Sequence, residues 1–276
     1  MYLITGGLGK IGSLIRTNID ALANAVVFDS SNDVEQNVAD INVLHTAITE
    51  SGVKVVIHLA ETGRKEFDEG KRDIQAYKDN TRSFTNLVRL SKHLGFKLIY
   101  ITDMNVNVGG FDRAKKRNEV RTFNQVEKGY ILPLPIVLPE HYNFKTATGH
   151  ELINVLDKHL KCVDDVYILN RRVDELVYLA TENMVVDAFG DLVENLDSVE
   201  SGYITNDRYI AITAGRLVEL LKLNFPNISV VLNDQNSNIE EVDTLVNIER
   251  NVEILENYFR KLPFSKQYVN DDPTSV

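Results

Sequence analysis

The sequence predicts an α/β fold in which a parallel sheet is wound on both faces by helices. Three observations carry that reading. Short apolar runs alternate with amphipathic helical stretches along the first half of the chain. Two of those runs, Val53 to Ala60 (VKVVIHLA) and Lys97 to Ile101 (KLIYI), are apolar almost throughout, as strands covered on both faces must be. The chain also opens on MYLITGGLGKIG, an apolar run turned directly into a helix by glycines.

In that opening, Tyr2 to Ile4 forms the strand, and the helix begins near Lys10 and Ile11 with Leu14, Ile15 and Ile19 on one face. Gly6 suits the tight turn, Gly9 lets backbone N–H groups approach an anion, and Gly12 permits close packing of helix on strand. Free N–H groups and the positive dipole end of the helix favour a pyrophosphate there. A second apolar run, Ala25 to Phe28, ends at Asp29, at the spacing where a carboxylate meets adenosine ribose hydroxyls. Asp29 accepts from a free 2′-hydroxyl and repels a 2′-phosphate, and Ser30, Ser31 and Asn32 offer no cation, so NAD(H) is the expected cofactor.

A helix follows from about Asn42 to Ser51, stopped by Gly52. After the Val53 to Ala60 strand, Glu61 to Tyr77 is polar and loop-like with helical potential. Asn80 to His93 carries Phe84, Leu87, Val88 and Leu94 at helical spacing, and Gly95 ends it. Tyr130 to Leu138 is a strand whose Pro133 and Pro135 mark the bend where the chain leaves the sheet. Helices are expected at Thr148 to Leu160, Glu182 to Leu196 behind an N-capping Thr181, Ala214 to Leu223 behind Thr213, and Ile248 to Lys261; strands at Val166 to Leu169, Glu175 to Ala180, Tyr209 to Thr213 and Ser229 to Leu232. The expected division is a nucleotide-binding domain over 1–140 that returns at about 170–197, and a small substrate lobe over 141–169 and 198–276.

The 276 residues are 43% hydrophobic, ample for a packed core, with a net charge of −10 and no long basic tract, which argues against nucleic acid. Arg113 to Arg121 (RAKKRNEVR) reads as a solvated helix face. The single Cys162 forbids an internal disulfide and fits a reducing compartment. No apolar run reaches membrane-spanning length and none resembles a signal peptide, so a cytoplasmic protein without a membrane partner is expected. The six histidines have no metal-ligand spacing, and His58 and Tyr100 read as strand-core residues.

Taken together, TGGLGKIG, Asp29, Ala39-Asp40-Ile41, His58-Leu59-Ala60 and the helix with Asn80 and Asn86-Leu87 resemble the extended short-chain dehydrogenase/reductase family, the NAD-dependent nucleotide-sugar epimerases, dehydratases and reductases. The resemblance implies a Rossmann-type sheet and a pyrophosphate loop of Gly6, Gly9, Lys10 and Ile11. It also implies that Asp40 and Ile41 flank the adenine, that Leu59 and Ala60 line the cofactor cleft, and that Asn80, opening its helix, shapes the central strands. A helix-mediated homodimer and a nucleotide-sugar-like substrate are further implications.

Thr102-Asp103 looks most like the Thr-Asp of dTDP-4-dehydrorhamnose reductases, and Phe111 to Lys115 with Glu119 is similar to the family's Tyr-x-x-x-Lys helix and its downstream Glu. The tyrosine is Phe111 here, and the Thr102 to Phe111 connection is short. A family tyrosine moves the proton that accompanies hydride transfer, and phenylalanine has none to give. Lys115 keeps its implied bond to the nicotinamide ribose and Thr102 its donor. Asp103, His141 and Tyr142 are the candidates to replace the phenol, and His141, which titrates near neutrality, is preferred. An alternative alignment makes His141 or Tyr142 with Lys145 the degenerate pair. Two readings stay open: an enzyme with an unusual proton donor, and a cofactor-binding protein of the same fold without turnover.

Overall fold

The computed structural model describes residues 1–30, 36–61, 71–104, 110–139, 166–169, 171–225, 229–232 and 248–261. In the first unit, Met1–Val137 with Thr181–Arg208, β1 (Tyr2–Thr5) turns into α1 (Lys10–Asn18) and β2 (Val26–Phe28) follows. Next come α2 (Ile41–Glu50), β3 (Val55–His58), α3 (Lys71–Leu94), β4 (Lys97–Asp103), α4 (Gly110–Gln125) and β5 (Gly129–Leu134). The short β6 (Ile136–Leu138) is where the chain leaves for the second unit, and β7 (Val166–Leu169) and β8 (Leu176–Thr181) precede α5 (Glu182–Asn195) and β9 (Gly202–Tyr203).

The six-stranded sheet has the order β2-β1-β3-β4-β5-β9, and every pairing in it is parallel. The chain therefore moves outward from β1 to β2 and then crosses to β3, so the order reverses beside β1. A crevice forms at such a switch, beyond the carboxyl ends of the strands. On one face Leu3, Val56, Leu98, Tyr100 and Ile131 meet Leu44 and Ile48 of α2 and Phe84, Leu87 and Val88 of α3 in one buried cluster. The alternate strand residues Ile4, Ile57 and Ile99 are fully buried as well, which explains why the strands read as unbroken apolar runs rather than alternating ones.

In the second unit, Leu138–Ala180 with Tyr209–Val276, β10 (Ile210–Thr213) pairs antiparallel with β8 in a sheet of order β10-β8-β6, and β11 (Ser229–Leu232) pairs parallel with β7. Two helices, α6 (Ala214–Asn224) and α7 (Ile248–Arg260), bring Phe225 and Phe259 edge to face at 5.7 Å. Asn251 of α7 donates to the Ala211 carbonyl at 2.8 Å.

The structure agrees with the sequence where a single residue decides. Thr181 accepts from Met184 N and Thr213 from Arg216 N, each capping its helix as expected. Gly52 and Gly95 take positive φ of 59° and 72° after α2 and α3. Five expectations need correction. Helix α3 begins at Lys71, within the stretch expected to be loop-like, and Asn80 lies mid-helix; residues 71–79 contain neither Gly nor Pro to stop it. The Glu175 to Ala180 strand does not return to the main sheet but pairs with β10, and Gly202-Tyr203, expected in the small lobe, is the sixth strand of the main sheet. Pro133 sits inside β5, opposite Thr102, where β9 no longer pairs and no N–H is required on that side. The run from Arg113 to Arg121 is not wholly solvated, because Asn118 and Glu119 are buried. The helix expected at Thr148 to Leu160 lies outside the described residues, as does Cys162.

Candidate active site

The glycine turn lines the switch-point crevice. Gly6 has φ of 70°, and a Cβ there would stand 2.7 Å from the Ala60 nitrogen, so the loop and the end of β3 approach as only glycine allows. A Cβ at Gly12 would meet Gly6 O and Gly7 Cα at 2.6 Å, while one at Gly9 would meet only Gly6 O, at 3.2 Å. Gly9 is the N-cap of α1 and caps it with no side chain, leaving the first-turn N–H groups of Lys10 and Ile11 to a ligand or water. Thr5 holds the other wall: its hydroxyl bonds His58 Nδ1 at 2.7 Å and accepts from Ala60 N at 3.3 Å, and its carbonyl accepts from Leu59 N at 3.0 Å. Leu59 and Ala60 are thereby fixed opposite the loop.

Asp29 lies at the end of β2 and accepts from Leu8 N at 2.9 Å, which sets its carboxylate against the glycine loop. Asp40 is the N-cap of α2, accepting from Asn42 N and Val43 N, and Ile41 begins that helix. Asn86 donates to the carbonyls of Val38 and Ala39, 3.0 Å each, and so holds the Asp40 segment against α3. Burial pushes the Lys10 ammonium below its ordinary range, and Glu182, at 3.6 Å, pulls it back up.

At the end of β4, Thr102 is buried and donates to Glu119 of α4. The second carboxylate oxygen of Glu119 accepts from the Tyr203 hydroxyl at 2.7 Å. Tyr203 is 49% exposed, whereas Thr102 and Glu119 are 2% and 3%, so the three side chains run from a buried hydroxyl to one at the surface. Burial first, then the hydrogen bond to Glu119 and its charge, push the Tyr203 phenol up to about 12. Tyr100, two residues before Thr102 on the same face of β4, packs edge to face on Phe84 at 4.9 Å. Burial raises its phenol well above the usual range, and the charges of Glu61, Glu119 and Asp103 add to that while a hydrogen bond from Asn118 opposes it. Asn80 is buried on the neighbouring α3 and accepts at its carbonyl from Asn118 Nδ2, 3.5 Å away.

The structure thus gathers Thr102 and Asp103 at one strand end, with Phe111 and Lys115 on α4 beside Glu119 in sequence. The side chains of Phe111 and Lys115, and all of His141, Tyr142 and Lys145, lie outside the described residues. Tyr203 was missed by sequence reasoning, and so was the buried role of Glu119. Asn86 left a signal, a lone amide beside Leu87 on the apolar side of a helix. Among the described residues no cluster of His, Cys, Asp or Glu could hold a metal ion, and no helix is long and apolar enough to cross a membrane.

Residues 2–103 match the model of the NAD dependent epimerase/dehydratase family. Over that span the chain is similar to this family. No curated protein matches the sequence. Its fold is that of the extended short-chain dehydrogenases/reductases, as three crystal structures illustrate. The dTDP-4-dehydrorhamnose reductase from Bacillus anthracis, in complex with NADP, superposes with a TM-score of 0.65 at 14% identity, over 95% of this chain and 98% of that one. UDP-glucose 4-epimerase from Thermus thermophilus, in complex with NAD, gives 0.63 at 14%, over 95% and 99%. L-threonine dehydrogenase from Phytophthora infestans gives 0.63 at 16%, over 94% and 98%. At these identities the likeness is one of fold. The chain departs at Phe111 from the Tyr-x-x-x-Lys pattern of the family it resembles.

Proposed function

We propose that the protein is a nicotinamide-dinucleotide-dependent oxidoreductase or epimerase acting on a nucleotide-activated sugar, with the proton handled by groups other than the family tyrosine. The observation that carries this reading is the pairing of an uncapped, glycine-lined helix start with a hydroxyl–carboxylate–hydroxyl chain at the end of β4. The donor set fits a dinucleotide. Gly9 leaves room where a side chain would intrude, the N–H groups of Lys10 and Ile11 suit the pyrophosphate, Asp29 suits a ribose, Asp40 and Ile41 an adenine, and Leu59, Ala60 and Asn80 the cleft beside it. When bound, the cofactor supplies or accepts a hydride.

The remaining work falls to the chain. Thr102 already donates its proton to Glu119, which leaves its oxygen to accept one from a substrate hydroxyl. As that proton arrives at Thr102 Oγ1, the one already there passes to Glu119 Oε1, and the carboxylate becomes the neutral acid. Tyr203 stands between that carboxylate and solvent. Asp103 and Lys115 orient substrate and ribose, and His141 is the second candidate for the proton. Substituting His141 by Gln and Tyr142 by Phe, with kcat and NADH affinity measured on a panel of nucleotide sugars, separates these assignments: full turnover in His141→Gln leaves the proton to Glu119.

Cofactor choice is tested by calorimetry. NADH should bind more tightly than NADPH because Asp29 would face a 2′-phosphate with like charge, and equal or tighter NADPH binding would sink the preference. A second reading, a cofactor-binding protein without turnover, is favoured by Phe111. Phe111→Tyr puts a phenol four positions before Lys115, on the same helix face, and should raise or create turnover. No turnover on the panel before or after that change supports the second reading.

A further inference from the structure

The outer side of α3 carries a stripe of a different character from the rest of this acidic chain. Lys78, Arg82, Thr85 and Arg89 recur at four, three and four positions, which places them along one line of the helix. They line a groove of 1030 Å³, closed on one side by Asn37 to Asn42 at the start of α2 and on another by Arg117 of α4. Among the described residues four cations line it, against two carboxylates. Of these, Asp40 is taken up capping α2, and Asp79 is half-buried with an interaction of its own.

The arginines are set in place by neutral partners rather than by acids. Arg117 donates to the Tyr77 hydroxyl at 2.6 Å and lies 6.0 Å from that ring. Arg121, next to the groove, donates to Thr85 at 2.7 Å and sits over Phe84. Arg82 and Arg89 are exposed, and among the described residues no carboxylate pairs with any of the four. Burial, then the charges of Arg117 and Arg89, lower the Arg121 guanidinium from its ordinary value, while Tyr77 opposes the shift.

We propose that this groove is a binding site for a small molecule carrying a polyphosphate group. Guanidinium groups match phosphate oxygens in pairs, and a cleft lined by one sign of charge concentrates ligands of the other even on a protein of net charge −10. The volume is that of a small-molecule site. A second copy of the chain is the poorer occupant, since a two-fold contact through this stripe sets arginine against arginine.

The test is calorimetric titration of the full chain with inorganic tripolyphosphate and with ATP, at low and at physiological salt. Tripolyphosphate should bind, more weakly as salt rises, and the double variant Arg82→Ala/Arg89→Ala should lose at least tenfold in affinity with Tm and NADH affinity unchanged. Both side chains are exposed and make no hydrogen bond or ion pair among the described residues, so their removal should cost the fold little. ATP binding that is tighter than tripolyphosphate and lost in the double variant identifies a nucleotide as the occupant; equal affinities identify the phosphate chain alone. Absence of tripolyphosphate binding, or equal binding by the double variant, overturns the proposal. A dimer in sedimentation that the double variant dissolves also overturns it, giving the face to a second copy.

Discussion

Gly9→Val should abolish NADH binding while leaving the protein folded. The substituted Cβ meets a single atom, Gly6 O at 3.2 Å, so the fold can absorb it with a shift of a few tenths of an ångström. The side chain would nevertheless stand at the N-cap of α1 and keep an anion from the free N–H groups. Two charge-assisted bonds lost at roughly 1.5–3 kcal/mol each correspond to more than about a hundredfold in Kd. Gly12→Val is the contrasting variant. Its Cβ would sit 2.6 Å from backbone atoms of Gly6 and Gly7, which cannot move without opening the turn. Overpacking of this kind costs about 1–3 kcal/mol or more, and should lower Tm by several degrees (about 2–4 °C per kcal/mol at this domain size). Thermal unfolding with NADH titration checks both: tight NADH binding by Gly9→Val would remove the loop as the phosphate cradle.

Glu119→Gln should lower kcat by about 10²–10⁴, the usual contribution of a positioned acid or base, with NADH affinity unchanged. Glutamine fills the same volume but cannot take a proton, and its amide accepts one hydroxyl where the carboxylate accepts two. The same variant has a readout that needs no substrate. Burial is the largest cause of the high Tyr203 pKa and the bond to Glu119 the next, so removing the charge should bring the phenol partway down toward 10. The fold keeps this phenol protonated above its unfolded value, so it binds more protons than the unfolded chain as pH climbs from about 10 to about 12. Stability from that source is complete below pH 10 and fades across the interval. Glu119→Gln should narrow the fading, and a pH titration of stability compared with Tyr203→Phe measures it. Unchanged kcat in Glu119→Gln would return the proton to His141.

What the sequence disclosed was local. The glycine turn, the caps at Thr181 and Thr213 and the stops at Gly52 and Gly95 each depend on one residue and its immediate neighbours, so spacing alone reveals them. The start of α3 was hidden because a polar helix turn and a polar loop share a composition. Strand β9 was hidden for a different reason: two residues carry no periodicity, and what makes them a strand is Tyr130 and Ile131, far away in sequence. Glu119 stands in a run of charges that looks solvated, and its partner Tyr203 is 84 positions off. A buried acid is recognised by what surrounds it in space, and that information is tertiary.

The brevity of β9 bears on how exposed Glu119 becomes. Its register with β5 spans Tyr130↔Gly202 and Ile131↔Tyr203, continued by one bond from Ile204 N to Ile131 O at 2.8 Å. β5 pairs with β4 over six residues and with β9 over only two, so β9 is the strand expected to open at a fraction of the global unfolding free energy. Such an opening would withdraw Tyr203 from Glu119 and let bulk water take its place. Hydrogen exchange at the Ile204 amide therefore meters how often the buried carboxylate is open to solvent.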